Sequence, residues 1–252
     1  MMETITSKHN PLLVHVKKLL SSRSYREKCG EFAADGTKLL EEAAKWDAGL
    51  QTVIVQEGVQ ICALPETVRV VQVSTSLMRD LSQMEAPQGA IFVCKLPQSG
   101  KAEIRKGSLL LDGIQDPGNL GTILRTADAL DVPVLLCEGC ADAYNPKTVR
   151  ASMGAVLRTP PQSVRRQDVI AACKEKNIPL FATAMSEDAV DLRQEKAETG
   201  VVIIGSEGQG VCEELLAAAD RKLIIPMSSR CESLNAAVAA SVLMWEMRKQ
   251  SL

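Results

Sequence analysis

The sequence predicts an α/β protein in two parts. A small α/β unit spans residues 1–94, a linker spans 95–107, and a larger domain over 108–252 is built on a mostly parallel sheet covered on both faces by helices. Three observations predict this. From Leu109 onward, short apolar runs alternate regularly with segments of helical period, as expected of β-α units whose strands are buried on both faces. Lys95–Gly107 (KLPQSGKAEIRKG) breaks every period and is rich in Pro, Gly, Ser and Lys, the composition of an interdomain segment. Finally, hydrophobic residues make up 46% of the 252, enough for a substantial core.

In the first unit, Asn10-Pro11 opens a helix: the amide caps it, and the proline stands where no N–H is needed. Leu12, Val16, Leu19 and Leu20 form its apolar stripe. Lys8, Lys17, Lys18, Arg23, Arg26 and Lys28 fall outside it, opposed only by Glu3 and Glu27. Such a run is either a plain solvated face or a contact for a phosphate backbone. Helical period returns over Thr37–Trp46. Strands are expected at Thr52–Val55, Val68–Val73 and Ala90–Val93, with a serine-capped helix over Ser74–Met84.

In the larger domain, strands are expected at Leu109–Leu111, Val134–Leu136, Leu180–Ala182, Val201–Ile204 and Leu223–Ile225. The first feeds the turn Asp112–Asn119, which holds two carboxylates, a proline and two glycines. Open α/β sheets place ligands at such a turn, at the carboxyl end of a strand. In the helix after it, Leu120, Ile123, Leu124 and Ala127 face the sheet, and Arg125 lies off that stripe, one turn after Gly121. Asn145-Pro146 opens another helix, with Val149, Met153, Val156 and Leu157 as its buried stripe. Lys147, Arg150, Gly154 and Arg158 line up on a second face, a cationic stripe able to lie near phosphates.

The strand Val201–Ile204 runs into Gly205-Ser-Glu-Gly-Gln-Gly210 and a helix over Val211–Ala219. This is a ligand cradle with Glu207 at its tip, and its glycine spacing is neither that of a dinucleotide fold nor that of a P-loop. Ile225-Pro226-Met227 leads through SSRCESLN to a helix over Ala236–Arg248. There Leu234, Val238, Val242 and Trp245 make one stripe, and small residues make most of the rest. A helix so apolar is buried in the core or in a dimer interface. Ser233 and Asn235 flank Leu234. Capping accounts for one of them, and two polar groups suggest a second task.

Composition narrows the function. A net charge of −2 excludes a globally basic nucleic-acid binder. No apolar run is long enough to span a bilayer, and the N-terminus lacks a signal-peptide core, so no membrane association is expected. The eight cysteines are scattered singly, which fits a reducing, cytoplasmic compartment. Cys137 and Cys140 form a lone C-x-x-C with no second pair or nearby histidine, so no metal site is expected. The two histidines, His9 and His15, are both N-terminal, which leaves the second half without one for a nucleophile–histidine relay. Aromatics at 3% argue against RNA binding by rows of stacked rings.

The three polar turns, DGIQDPGNLGTILRTADAL, VVIIGSEGQGV and LIIPMSSRCESLNAAVAA, resemble in sequence, order and separation the signature motifs of the SpoU (TrmH) family of RNA ribose 2′-O-methyltransferases. NPKTVRASMGAVLRTP is similar to the segment between the first two motifs. SRSYREKCGEFAADGTKLLEEA resembles the small RNA-binding domain that many members carry. The resemblance implies a SPOUT-type α/β domain whose C-terminal segment is tucked into a trefoil knot, and a homodimer formed through the knot region. Periodicity predicts no knot.

Carried over by position, the resemblance implies that S-adenosyl-L-methionine is held at Gly205, Ile225 and Leu234, with Thr183 and Met227 as neighbours. Asn119 and Arg125 match the polar pair of the first motif, Glu207 the acid of the second, and Ser233 and Asn235 the pair of the third. RNA would be gripped by Lys17, Lys18, Arg23 and Arg26 and by Lys147, Arg150 and Arg158. One departure is visible: Ser229 stands where the third motif commonly has glycine, which would cost something if that position needs positive φ. The implied reaction is attack of a ribose 2′-hydroxyl on a sulfonium methyl, with no metal and no covalent intermediate. Arg125 is the family's participant in the proton step. Because a guanidinium keeps its proton through the physiological range, a phosphate-gripping role suits it better than that of a base. Ribosomal RNA is the first expectation for the substrate and transfer RNA the second. A non-catalytic RNA-binding protein has no use for three polar turns, and an oxidoreductase lacks its glycine spacing.

Overall fold

The computed structural model describes residues 3–98 and 100–249. Ser99, within the expected linker, lies outside the described residues, as do 1, 2 and 250–252. In chain order the elements are β1 (Glu3–Ile5), α1 (Pro11–Ser21), α2 (Arg23–Cys29), β2 (Glu31–Asp35), α3 (Thr37–Lys45), β3 (Leu50–Gln56), β4 (Arg69–Val73), α4 (Thr75–Leu81) and β5 (Ala90–Lys95). There follow β6 (Ser108–Asp112), α5 (Pro117–Ala129), β7 (Val134–Leu136), α6 (Pro146–Ala151), α7 (Ala155–Arg158), β8 (Gln162–Ser163), α8 (Arg166–Glu175) and β9 (Leu180–Thr183). The chain closes with β10 (Val190–Asp191), β11 (Val201–Gly205), α9 (Glu213–Ala218), β12 (Arg221–Ile224) and α10 (Ala236–Arg248).

The chain forms two compact units. The first holds residues 3–98 together with Tyr144–Arg158. Its sheet has the order β1-β4-β3-β5-β2, with β1, β4 and β3 parallel and β5 antiparallel to both neighbours. The Asn10 side chain accepts from the Leu12 N–H at 2.9 Å and starts α1 as expected. Val16, Leu19 and Leu20 then pack on Ile54, Val71 and Ile91. The fourth core position of α1 is Leu13, with Leu12 only partly buried. Two strands, β1 and β2, were not anticipated. EFAAD is composed like a helix, and burial of Phe32–Asp35 beside β5 overrides that preference.

Tyr144–Arg158 corrects the expectation that this segment belongs to the larger domain as one continuous helix. It packs with the first unit, where the Tyr144 and Phe32 rings lie 4.8 Å apart and Arg158 pairs with Glu42. The helix breaks between α6 and α7, because Met153 and Gly154 adopt φ of 50° and 85°. A Cβ on Gly154 would sit 3.1 Å from the Glu42 side chain, so the turn brings backbone against α3. Met153, expected in the buried stripe, is consequently half exposed.

The second unit holds residues 100–143 and 159–249. Its seven strands are all parallel, in the order β10-β12-β9-β11-β6-β7-β8. Part of the expected linker belongs here. Ile104 is buried in this core, and the Gly107 N–H bonds to the Gly200 carbonyl at 2.8 Å. Leu120, Ile123, Leu124 and Ala127 of α5 are buried as predicted. In α10 the expected stripe faces outward: Val238, Val242 and Trp245 are 50%, 39% and 57% exposed. Its buried face is Ala236, Ala237, Ala240, Leu243, Met244 and Met247, and α10 packs against α5. No helix among the described residues is long and apolar enough to cross a membrane.

Candidate active site

The ends of β6, β9, β11 and β12 place the polar turns of the second unit at one edge of the parallel sheet, where such sheets bind ligands. Gly205 ends β11. A Cβ there would lie 1.9 Å from the Gly210 carbonyl carbon and 2.0 Å from the Val211 nitrogen, so only glycine lets the two backbone segments pass. Ser206 and Gly210 close the loop with reciprocal backbone bonds of 3.0 Å, which displays Glu207 at its tip.

Three residues far apart in sequence are joined there in series. The Asn235 amide donates to the Asn119 carbonyl oxygen at 3.0 Å, and the Asn119 amide donates to Glu207 Oε1 at 2.8 Å. Each is also held from below. Asp116 caps α5 by accepting from the Asn119 N–H at 2.8 Å. Asn235 caps α10 by accepting from the Ala237 and Val238 N–H groups at 2.9 and 3.3 Å. One side chain thus performs both the capping and the second task inferred for this turn. Among the described residues, Glu207 receives a single amide and keeps its other acceptor positions open. Arg125 is exposed on α5 and has no hydrogen-bond or ion-pair partner among the described residues. Ser233 is exposed, with its carbonyl accepting from the Cys231 thiol at 3.7 Å.

Beside this chain of bonds lies a cleft of about 790 Å³. Thr183, Gly205, Ile225, Met227 and Leu234 all line it, as do Glu207, Ser233 and Asn235. Asn119 and Arg125 are not among its lining residues, and Asn119 reaches it through Glu207 and Asn235. Thr183 spends its hydroxyl on the Ile203 carbonyl at 3.0 Å. Sequence reasoning missed Gln209 and Lys222. Lys222 has its ammonium 2.9 Å from Asp188, and strand alternation at β12 is the only signal that could have pointed to it. This donor set suits S-adenosyl-L-methionine. Ile204, Ile225 and Leu234 offer apolar walls to a nucleoside, Glu207 offers a carboxylate to a sulfonium cation, and the cation in the lining, Lys222, is already neutralised. Ser229 is not among the described residues with positive φ, so the missing glycine strains nothing.

The basic candidates separate into two groups. Lys17, Lys18, Arg23 and Lys147 are exposed, with Lys18 5.5 Å over the Tyr25 ring and Arg23 2.9 Å from Glu27. Arg26 is corrected: it is 3% exposed and donates to the Leu19 carbonyl at 2.6 Å, tying α2 to α1 and leaving nothing for a phosphate. Arg158 pairs with Glu42, and Arg150 turns a buried nitrogen towards the first unit, where it opposes the upward push of burial on the Asp35 carboxyl. With the helix broken as well, Lys147, Arg150, Gly154 and Arg158 do not form one stripe. Cys137 and Cys140 are buried free thiols, and burial pushes Cys137 up to about 12, far from metal-binding or redox reactivity. No cluster of potential metal ligands occurs among the described residues.

Comparison with known proteins adds the following. The model of the SpoU rRNA Methylase family matches residues 107–245, and that of the MRM3-like substrate binding domain matches residues 10–91. The 23S rRNA (guanosine(2553)-2'-O)-methyltransferase RlmP of Bacillus subtilis is 34% identical over 249 residues, covering 98% of this chain and 100% of its own. The AdoMet-bound rRNA methyltransferase of Sinorhizobium meliloti superposes with a TM-score of 0.85 at 25% identity, over 100% of this chain and 99% of its own. The SpoU methyltransferase AviRb of Streptomyces viridochromogenes, in complex with the cofactor AdoMet, gives a TM-score of 0.80 at 26% identity, over 96% and 98%.

Proposed function

This chain belongs to the SpoU rRNA methylase family, and from that membership we propose that it methylates the 2′-hydroxyl of one ribose in ribosomal RNA, using S-adenosyl-L-methionine. The observation that carries the reading is the Asn235–Asn119–Glu207 series of bonds beside a cleft lined by Gly205, Ile225 and Leu234. Thr183, Gly205, Ile225, Met227 and Leu234 would hold the methyl donor, which supplies an electrophilic methyl on a sulfonium.

The protein's own groups then have two tasks. Asn119, Glu207 and Asn235 orient the attacking hydroxyl and one another, and Ser233 stands with them at the cleft. Such alignment is the main source of rate in an in-line displacement. Arg125 grips the phosphate beside the target ribose and stabilises charge on the 2′-oxygen as its proton passes to solvent water.

RNA is held by the exposed residues Lys17, Lys18, Arg23 and Lys147, which supports a docking role for the first unit. The variant K17E/K18E/R23E is expected to raise the KM for rRNA with kcat retained, and to lower the slope of log affinity against log salt by about 2. Unchanged RNA affinity and slope would place the contact elsewhere.

The exposed Val238, Val242 and Trp245 on α10 support a homodimer formed through this helix. Trp245→Glu is expected to shift a sedimenting dimer to monomer, and a wild-type protein that is monomeric at micromolar concentration contradicts the proposal. The same reading includes a trefoil knot of the C-terminal segment, which rests on family membership. An experimental chain trace that pulls straight from its two ends would refute it.

A further inference from the structure

Asp112 ends β6 and is 2% exposed, yet it carries no part of the site described above. Its Oδ1 accepts from Arg166 Nε at 2.8 Å and lies 2.7 Å from Nη2, and its Oδ2 accepts from the Cys212 backbone N–H at 2.8 Å. Arg166, the first residue of α8, also donates to the Glu138 carbonyl at 3.1 Å. The loops around the carboxylate are in contact. A Cβ on Gly113 would meet that of Ser206 at 3.6 Å, and one on Gly139 would meet the Gly113 Cα at 3.4 Å.

The connectivity gives this pair its consequence. The loop that displays Glu207 leaves the sheet at Gly205 and is pinned at its far end by the Cys212 N–H on Asp112. Asp112 is also the last residue of the strand that leads through a short turn into α5, whose first turn carries Asn119. A single carboxylate therefore ties the origin of the Asn119 turn to the end of the Glu207 loop, and the 2.8 Å Asn119–Glu207 bond spans the other side of that closed circuit. As a stability device a buried ion pair is poor, because similar-sized apolar residues are often as stable. As a positioning device it is good, since Arg166 on one oxygen and the Cys212 N–H on the other together fix the carboxylate in direction as well as place.

We propose that Asp112 is a positioning residue for methyl transfer, holding Glu207 against Asn119 through the Cys212 N–H, with Arg166 as the partner that balances its charge; this rests on the function proposed above. The test compares two double variants. D112N/R166M removes both charges but keeps an acceptor for the Cys212 N–H, whereas D112L/R166M removes the acceptor as well.

With comparable melting temperatures, D112N/R166M is expected to turn over rRNA within about threefold of wild type, and D112L/R166M to lose about 10- to 100-fold in kcat, the scale of a misplacement near 1 Å. In an E207Q background the same D112L/R166M change is expected to cost less than about threefold, because it acts through Glu207. Amide exchange at Cys212 should quicken only in the leucine variant. An active wild type whose D112L/R166M form keeps its kcat, or loses it equally with and without Glu207, overturns the positioning role alone. A wild type inactive on rRNA overturns the functional reading and this one together. If D112L/R166M does not fold, D112A/R166M takes its place: it removes the acceptor for the Cys212 N–H with a side chain smaller than aspartate. It is expected to lower kcat with the fold intact, and an unchanged kcat overturns the proposal.

Discussion

Arg125→Ala is expected to lower turnover on the cognate RNA by at least about 100-fold, the scale seen when one donor to a developing oxyanion is lost. Melting temperature and affinity for S-adenosyl-L-methionine should stay as in the wild type. The reasons lie in its surroundings. Arg125 is outside the buried stripe of α5, is exposed, and bonds to nothing among the described residues, so its removal takes no packing from the fold. A solvated arginine kept one and a half turns from Asn119 is placed for a partner that arrives with the substrate. Arg125→Lys should fall between alanine and wild type, because an ammonium keeps the charge without the planar fork that matches a phosphate. Turnover of the alanine variant within about tenfold of wild type, under about 1.4 kcal/mol, would remove Arg125 from the mechanism.

Gly205→Ala is expected to have the other large effect, on cofactor binding and stability together. The added methyl would sit 1.9 Å from the Gly210 carbonyl carbon, and the obstacle is backbone, which cannot turn aside as a side chain can. Either the loop lifts off β11 and opens the cleft or the strand shifts. Overpacking of this kind costs about 1–3 kcal/mol and sometimes more. Calorimetry should detect no binding of S-adenosyl-L-methionine, with the melting temperature lowered. Gly208, in the same loop, has nothing within 4 Å of a Cβ, so Gly208→Ala should bind as wild type does. Normal binding by Gly205→Ala would mean that the crossing at residue 205 does not shape the cofactor site.

Legibility in the sequence followed the range of the forces involved. Strands buried on both faces, such as Leu109–Leu111 and Val201–Ile204, and a helix start such as Asn145-Pro146 are governed by local patterns, and these were readable. The three polar turns were readable as turns, but their convergence was not. The Asn119–Glu207 and Asn119–Asn235 bonds span 88 and 116 residues, a juxtaposition that only the family resemblance anticipated. Arg26 was misread because a basic residue off an apolar stripe looks solvated until a neighbouring helix end offers it a carbonyl. The helix break at Met153-Gly154 was missed for a similar reason, since a glycine mid-pattern is tolerated unless packing against a residue such as Glu42 demands the turn. In α10 the periodicity picks out Val238, Val242 and Trp245 as the stripe and leaves the alanines as the small remainder of the helix. They are the buried face, because α10 packs against α5, and the large residues were left for the outside.

The most direct test of the central claim is a map of 2′-O-methyl marks across the RNA of a strain lacking this protein. The expected result is the loss of a mark at one ribosomal RNA nucleotide, restored by the wild-type gene and not by one encoding Arg125→Ala. An unchanged ribosomal map, or a lost methyl group that proves to sit on a base or on transfer RNA, would contradict it.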